Sequence, residues 1–445
     1  MNLDLLNENI DNKKWAEVKK MISDMNEFDI AEIINDLPIE KAVKVFRLLS
    51  KDHASDVFVN LDTEVEQSLI TALTDKETKM LIEDMFTDDA ADLFDEMPAM
   101  MVNQILAKVD KDTRNDINRL LKYPDNSAGS LMAVEYIRFT KGMTISEAIK
   151  DIRRQKDDFV SYESCFITDK ERHLLGRISI KELIINDPND KIDDIMDPCE
   201  HTIFTLMDQE EVAKYFQDYD YSTLPVVDSE NRLVGIITID DVVDIMEAEA
   251  TEDIEKMAAI VPGEKSYDKT TVFETFKARI PWLLLLMVSA TFTGKIIQSF
   301  EAQLATYTIL TAFIPMLMDS GGNAGGQASV SIIRALSLKD IEFKDIFKVM
   351  WKEFRVAILC AIVLALCNFA KMMLIDGTKP ILALTVCSTL CVTIIIAKLI
   401  GCTLPMFAKK IGFDPAVMAS PFITTLVDAA SLLIYFNFAR LILGI

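Results

Sequence analysis

Asp428 is the only charged residue between Asp414 and Arg440, in the stretch DPAVMASPFITTLVDAASLLIYFNFAR. Such a run is long enough to cross a bilayer, which takes about 20 mostly apolar residues. A carboxylate near the middle of the span costs roughly 2.5–3.5 kcal/mol on insertion scales, so it usually faces a partner, a cavity or an ion path. The sequence therefore reads as a membrane protein that handles a cation.

Charge is divided unevenly along the 445 residues. From Pro281 onward there are 13 basic and 9 acidic residues; the preceding 280 hold 33 basic and 61 acidic, out of a net charge of −24. An acidic water-facing half is joined to a slightly basic apolar half. A surface that acidic repels the phosphates of nucleic acid. The start, MNLDLLNENIDNKKW, has neither a basic leader nor an apolar core, so the first 280 residues are expected in the cytoplasm. The seven cysteines fit a reducing compartment. Cys387 and Cys391, one helical turn apart, are read as small packing residues rather than a soft-metal site. His53, His173 and His201 all precede the apolar half, which thus lacks the imidazole expected for zinc, copper or nickel.

Residues 1–125 read as amphipathic helices broken at Leu37-Pro38, Met97-Pro98 and Tyr123-Pro124. A degenerate repeat aligns DIAEIINDLP (29–38), HASDVFVNLD (53–62) and DAADLFDEMP (89–98), each with a carboxylate at its fourth position: Glu32, Asp56 and Asp92. Stacked helix pairs of this kind form a small superhelix, its hand left open. From 126 to 250 short β-branched runs alternate with helical patterns. YESCFITD with LLGRISIKELI makes one strand–turn–strand–helix unit, and STLPVVDSENRLVGIITIDDVVDIM a clearer second one, with Thr238 placed to cap the following helix. The two units resemble a pair of CBS modules. Residues 240–278 read as largely helical, interrupted near Pro262-Gly263, and EAEATEDIEKM puts Glu249, Glu252 and Asp253 on one helix face.

Five candidate spans follow, at about 280–300, 303–336, 354–375, 380–407 and 414–440. With the N-terminus inside, Lys339, Lys344, Lys348, Lys352, Lys409 and Lys410 fall on inner connections and Lys379 on an outer one, as the positive-inside rule requires. Lys295, Lys371 and Lys398 are placed near span ends, where long side chains snorkel. The second span carries PMLMDSGGNAGGQASVSIIRA, whose single carboxylate is Asp319. Pro315 and Gly321, Gly322, Gly325 and Gly326 are expected to weaken that helix and permit close backbone approach. Asp319, Asn323 and Gln327 supply oxygen donors. Asp428 adds a second carboxylate, Thr424 lies one turn before it, and Pro421 is expected to free a carbonyl near residue 417. These donors are hard oxygens, suited to a divalent ion that keeps several waters; Mg²⁺, Ca²⁺ and Mn²⁺ are not separated by them, and monovalent ions stay open.

The whole order, an acidic helical domain, a CBS pair, the EAEATED helix and five spans carrying PMLMDSGGNAGGQ and DPAVMASPFITTLVD, resembles the MgtE magnesium channels. The resemblance implies a multi-domain plasma-membrane homodimer. An all-α superhelical N domain (1–125) precedes α/β CBS modules (126–190 and 191–250) and a linker or plug helix (251–279). An α-helical membrane domain of five transmembrane helices (280–445) completes it. It implies a pore on the second and fifth spans, with Asp428 as the carboxylate for hydrated Mg²⁺ and Thr424 contributing a carbonyl. It also implies a cytosolic Mg²⁺ sensor that shuts the pore: Asp56, Asp88 and Asp92 in the helical domain, Asp241, Asp244, Glu249, Glu252 and Asp253 in the second module and linker, and Glu210 and Asp220 on less distinctive surroundings. ATP in the CBS pair rests on the resemblance alone. An ion-coupled carrier of Mg²⁺, Mn²⁺ or Co²⁺ is the alternative reading. An intramembrane aspartyl protease needs a tyrosine before one Asp and GxGD around the other, and the Met318-Asp319 and Val427-Asp428 flanks give neither, so no enzyme is expected. A nucleotide-sensing module on a mere anchor is disfavoured by the polar motifs inside the spans.

Overall fold

The structure is a computed structural model that describes residues 3–444 apart from 156–158, 264–266, 268–269, 302–304, 306 and 419. The chain forms two compact units, Met1–Glu247 and Ala248–Ile445.

The first unit opens with ten short helices among the described residues: α1 (Leu3–Asp11), α2 (Trp15–Ile22), α3 (Glu27–Asn35), α4 (Ile39–Phe46), α5 (Lys51–Val59), α6 (Thr63–Ala72), α7 (Asp75–Ile82), α8 (Thr87–Asp95), α9 (Ala99–Leu106) and α10 (Lys111–Leu120). Their starts are written in the sequence. Asn26 accepts from the Phe28 N–H, Thr74 and Glu77 form a reciprocal cap, and Asp110 accepts from Asp112 and Thr113. Pro38 and Pro98 stand immediately before α4 and α9, so the breaks read from the sequence are the starts of the next helices. One apolar cluster that includes Ile30, Val45, Phe58, Leu69, Ile82 and Leu93 runs through the stack.

Two three-stranded sheets follow. β1 (Tyr136–Thr140), α11 (Ile145–Arg154), β2 (Ser161–Thr168), β3 (Leu174–Ser179), α12 (Ile180–Ile185) and α13 (Ile192–Ile195) make one module. β4 (Ile203–Phe204), α14 (Gln209–Tyr219), β5 (Thr223–Val227), β6 (Leu233–Thr238) and α15 (Ile239–Met257) make the other. Each sheet pairs its first two strands parallel and its last two antiparallel, so the first module, weaker in sequence, has the same topology as the second. β5 is buried along its whole length, which is why its TLPVV reads as a continuous apolar run. Thr238 donates its hydroxyl to the Asp241 carboxylate at 2.7 Å, at the start of α15. The linker is interrupted near Pro262-Gly263, as the sequence suggests, so 251–279 is not one helix. α15 ends at Met257, ahead of Pro262-Gly263, and the next helix begins at Val272. The backbone turns at Ala259, whose φ is +55°.

The second unit contains α16 (Val272–Ser299), a 3₁₀ turn at Thr308–Phe313, α17 (Ile314–Ser337), α18 (Ile346–Leu374), α19 (Pro380–Lys410) and α20 (Ser420–Leu443). Four helical stretches among the described residues are long and apolar enough to cross a membrane: Val272–Ser299, Phe343–Leu374, Pro380–Lys410 and Pro415–Leu443. The expected second span at 303–336 is not one of them; its helix starts only at Ile314, and residues 302–304 and 306 lie outside the described residues. The count of five is therefore not reached on length and apolarity. Nor is that helix broken. Pro315 sits in its first turn, where a missing N–H costs nothing, and the glycines run through an uninterrupted α17. Pro421 likewise stands at the start of α20, so residue 417 lies in a preceding 3₁₀ turn and its carbonyl is not freed from inside a helix. Lys398 does not snorkel: it is 5% exposed and its Nζ lies 3.7 Å from Glu353 on α18.

Candidate functional site

α17 is sandwiched against α19 and α20, and its composition explains how. Gly321, Gly322, Ala324, Gly325, Ala328 and Ser329 form its buried face. A Cβ on Gly401 of α19 would stand 2.2 Å from the Gly325 carbonyl oxygen, so the two helices touch backbone to backbone there. Thr424 of α20 packs its side chain over Gly322, and Val427 and Ser431 pack over Gly321. The other face of α17 carries Pro315, Asp319, Asn323 and Gln327, all exposed and spaced four residues apart. Asp319, Asn323 and Gln327 make that face a polar stripe. Asp428 lies on α20, one of the two helices packed against α17. Its Oδ1 is buried and makes no hydrogen bond. A buried carboxylate oxygen without a donor is costly, and a cation, directly or through its water, is the natural partner.

A second acidic site lies within the first unit. A cavity of about 340 Å³ is lined by Glu66, Asp88, Asp89, Asp92, Glu96, Asp241 and Asp244 together with Leu61, Leu93 and Ile245. Helices α6, α8 and α15 bring these carboxylates together. Burial, then the charges of Asp89, Asp241 and Glu135, push Asp88 well above the usual carboxylate range. Burial, then Asp241 and Glu135, lift Asp89 to about 7. Asp92 is raised as well, to about 7, by crowding and then the charges of Asp89 and Asp241, although its side chain is exposed. Asp241 and Asp244 are raised as well, again chiefly by burial. Each shift marks carboxylates crowded without enough compensating charge, which suits a divalent cation.

Of the expected sensor residues, Asp88, Asp92, Asp241 and Asp244 line this cavity. Asp56 does not line it, but its charge is felt by Asp89. Glu210 and Asp220 sit at opposite ends of α14, in its first turn and at its left-handed cap, and line no part of the cavity. Glu249, Glu252 and Asp253 lie further along α15. Glu252 already holds a cation: Lys256 Nζ is 2.6 Å from Glu252 and 2.7 Å from Asp414. Burial alone would lower that lysine, but the hydrogen bonds to Asp414 and Glu252 outweigh it and raise its pKa.

Sequence reasoning missed Glu66, Asp89 and Glu96. Asp89 opens the third repeat and was there to be noticed. Glu66 carries no local signal, since its burial in the cavity appears only in the folded chain. Glu135 was missed too; its carboxylate accepts from the Thr87 hydroxyl at the start of α8.

Three family profiles match in chain order: the MgtE intracellular N domain over 25–126, the CBS domain over 192–248 and the divalent cation transporter MgtE over 314–438. The magnesium transporter MgtE of Thermus thermophilus is 34% identical over 430 residues, covering 96% of this chain and 95% of that protein. This chain belongs to the MgtE family. The magnesium transporter MgtE of Bacillus subtilis is 30% identical over 430 residues, covering 96% of this chain and 94% of that protein. Among solved structures, the cytosolic domain of the Mg²⁺ channel MgtE in complex with ATP matches with a TM-score of 0.52 at 30% identity, covering 54% of this chain and 98% of that one. The MgtE family profiles thus fall on both sites: the transporter profile spans Asp319 to Asp428, and the N-domain profile spans Glu66 to Glu96.

Proposed function

We propose that this chain carries Mg²⁺ across the cell membrane, and that α17 crosses it as a fifth helix. The ion path runs along the polar stripe of α17 and past Asp428 on α20. The observation that carries this reading is the unpartnered buried Oδ1 of Asp428, set beside an outward-facing row of Asp319, Asn323 and Gln327. A polar row on the outside of one chain suits a second copy facing it across a shared path, hence a homodimer. Few direct ligands are present, as expected for Mg²⁺ that keeps its waters. Mutual contacts at one end of the bundle suit a common inner side: Lys409 donates to the Leu336 carbonyl at 2.8 Å, and Lys410 lies 4.1 Å from the Phe343 ring.

The acidic cavity is the regulatory site. Cytosolic Mg²⁺ bridges Asp88 and Asp92 to Asp241, Asp56 completing the set, and closes the path by favouring the docked arrangement of those helices. Glu249, Glu252 and Asp253 continue the acidic series along α15, and Lys256 ties its end to Asp414, ahead of α20. Glu210 and Asp220 are peripheral to this role. ATP is assigned to a cavity of about 440 Å³ lined by Arg177, Lys181, Ser179 and Ser222 together with Glu163, Glu182 and Asp197, where Arg177 and Lys181 offer charge to phosphates.

Growth of a Mg²⁺-auxotrophic bacterium tests transport. The intact chain restores growth on low Mg²⁺ and Asp428→Ala does not; failure of the intact chain sinks the reading. Single-channel recording separates a channel from a coupled carrier: discrete openings that cytosolic-side Mg²⁺ closes mark a channel, and their absence alongside ion-coupled uptake marks a carrier.

A further inference from the structure

Lys398 and Glu353 form a charge pair inside the helix bundle that the ion path along α17 and α20 does not use. Lys398 stands about three turns in from Lys410 on α19, well away from either end of that helix. The residue is 5% exposed, and its Nζ lies 3.7 Å from the carboxylate of Glu353 on α18, whose side chain is 13% exposed. Among the described residues Lys398 has no other ion-pair partner and donates no hydrogen bond. Such a pair is a poor source of stability, since apolar groups of similar volume hold a core as well or better. What a buried pair does supply is register, because its two charges meet in only one alignment of the helices that carry them. The alignment here is the one that seats α17. Ala397 and Gly401, on either side of Lys398 in the same stretch of α19, are where that helix meets Gly325. The Ala397 carbonyl oxygen would stand 3.1 Å from a Cβ on Gly325, and a Cβ on Gly401 would stand 2.2 Å from the Gly325 carbonyl oxygen. Gly325 lies midway between Asn323 and Gln327. Just beyond, Cys402 of α19 packs in one apolar cluster with Val349 of α18 and Ile332 of α17, so the three helices are tied together there.

We propose that Glu353 and Lys398 are positioning residues for the ion path. Neither touches the ion. Their attraction holds α18 and α19 in one register, and the Gly325–Gly401 contact passes that register to α17. The pair thereby sets where Asn323 and Gln327 stand relative to Asp428 on α20. When the pair is lost, α19 shifts and the polar row no longer lines up with Asp428. The proposal rests on α17 and α20 forming the path, and not on how the first unit regulates it.

The test is Mg²⁺ uptake into proteoliposomes by the purified full chain, with melting in detergent as the measure of folding. Lys398→Met/Glu353→Met replaces the pair by apolar groups, and Lys398→Glu/Glu353→Lys restores it reversed. Asp428→Ala is run alongside. The methionine double variant melts no lower than the parent, because no charge is left stranded. Its maximal uptake rate nevertheless falls about tenfold, while half-saturating Mg²⁺ stays within about twofold of the parent's, since Asp428 is intact and only its alignment has changed. The reversed pair recovers most of the lost rate, which an effect of each residue by itself would not do. A methionine double variant with parental uptake overturns the proposal. So does one that melts well below the parent or does not fold, which would make the pair a prop for the bundle, and so does a reversed pair as slow as the methionine one. If Asp428→Ala keeps the parental rate, the reading of the path fails instead.

Discussion

The cavity of the first unit and the site around Asp428 use carboxylates in opposite ways. The cavity gathers seven acids from three helices and satisfies few of them. The membrane-side site has two, Asp319 and Asp428, framed by glycine contacts and amide side chains. Water decides the difference. Near solvent, many carboxylates can be crowded because protonation or cation binding relieves them. Within apolar spans each added charge costs several kcal/mol, so selectivity has to come from few charges held in fixed places by packing.

The largest expected effect falls on the membrane-side charge. Asp428→Ala is expected to cut Mg²⁺ uptake into proteoliposomes by at least a hundredfold while leaving the detergent melting temperature unchanged or higher, since a buried unpaired oxygen is removed. Retained uptake would put the path elsewhere. Next comes the packing that fixes it. Gly401→Val drives a side chain into the Gly325 carbonyl and is expected to destabilise the helix bundle by about 3 kcal/mol, the upper end of ordinary overpacking. Thermal unfolding in detergent reads this, and a melting curve like the parent's would mean the α17–α19 contact is not close.

Smaller effects are expected in the cavity. Asp88→Asn with Asp92→Asn should raise the cytosolic Mg²⁺ needed for half-closure about tenfold without lowering maximal flux; vesicle flux measured against internal Mg²⁺ checks both. Unaffected gating would mean that the cavity acids do not sense Mg²⁺. The mildest effect is on pH. Glu66, Asp89 and Asp92 have folded-state values of about 8, 7 and 7, above their unfolded values near 4. The folded state therefore holds more protons than the unfolded one between those limits, and stability falls as pH rises through the window. In chelator the melting temperature of the first unit should drop by a few degrees from pH 5 to pH 8. Saturating Mg²⁺ should flatten that slope, because it occupies the same oxygens. A slope of opposite sign would mean that these acids are paired.

Much of the architecture was legible because it repeats or caps itself. Pro38, Pro98, Thr74 and Asp110 mark helix starts with local chemistry, and the strand runs of the second module announce their burial. Asp428 stands out in the sequence because a lone charge in an apolar run is costly. The fate of α17 was not legible. Glycines and Pro315 suggested a broken span, but a helix packed on two others keeps its hydrogen bonds, and a proline in the first turn breaks none. Lys398 looked like an end-of-span residue because sequence distance does not show that Glu353 waits on a neighbouring helix.

By itself the sequence determined where the chain turns apolar, which residues open each helix, and that one carboxylate must be accounted for inside the membrane-side half. These follow from local backbone chemistry and from transfer energies, which act residue by residue. Only the tertiary structure decided which acids share a space. Glu66 and Asp92 stand 26 positions apart and line one cavity, which Asp241 joins from α15. Coulomb repulsion and burial depend on distances through space, and a chain read in order does not contain those distances until it folds.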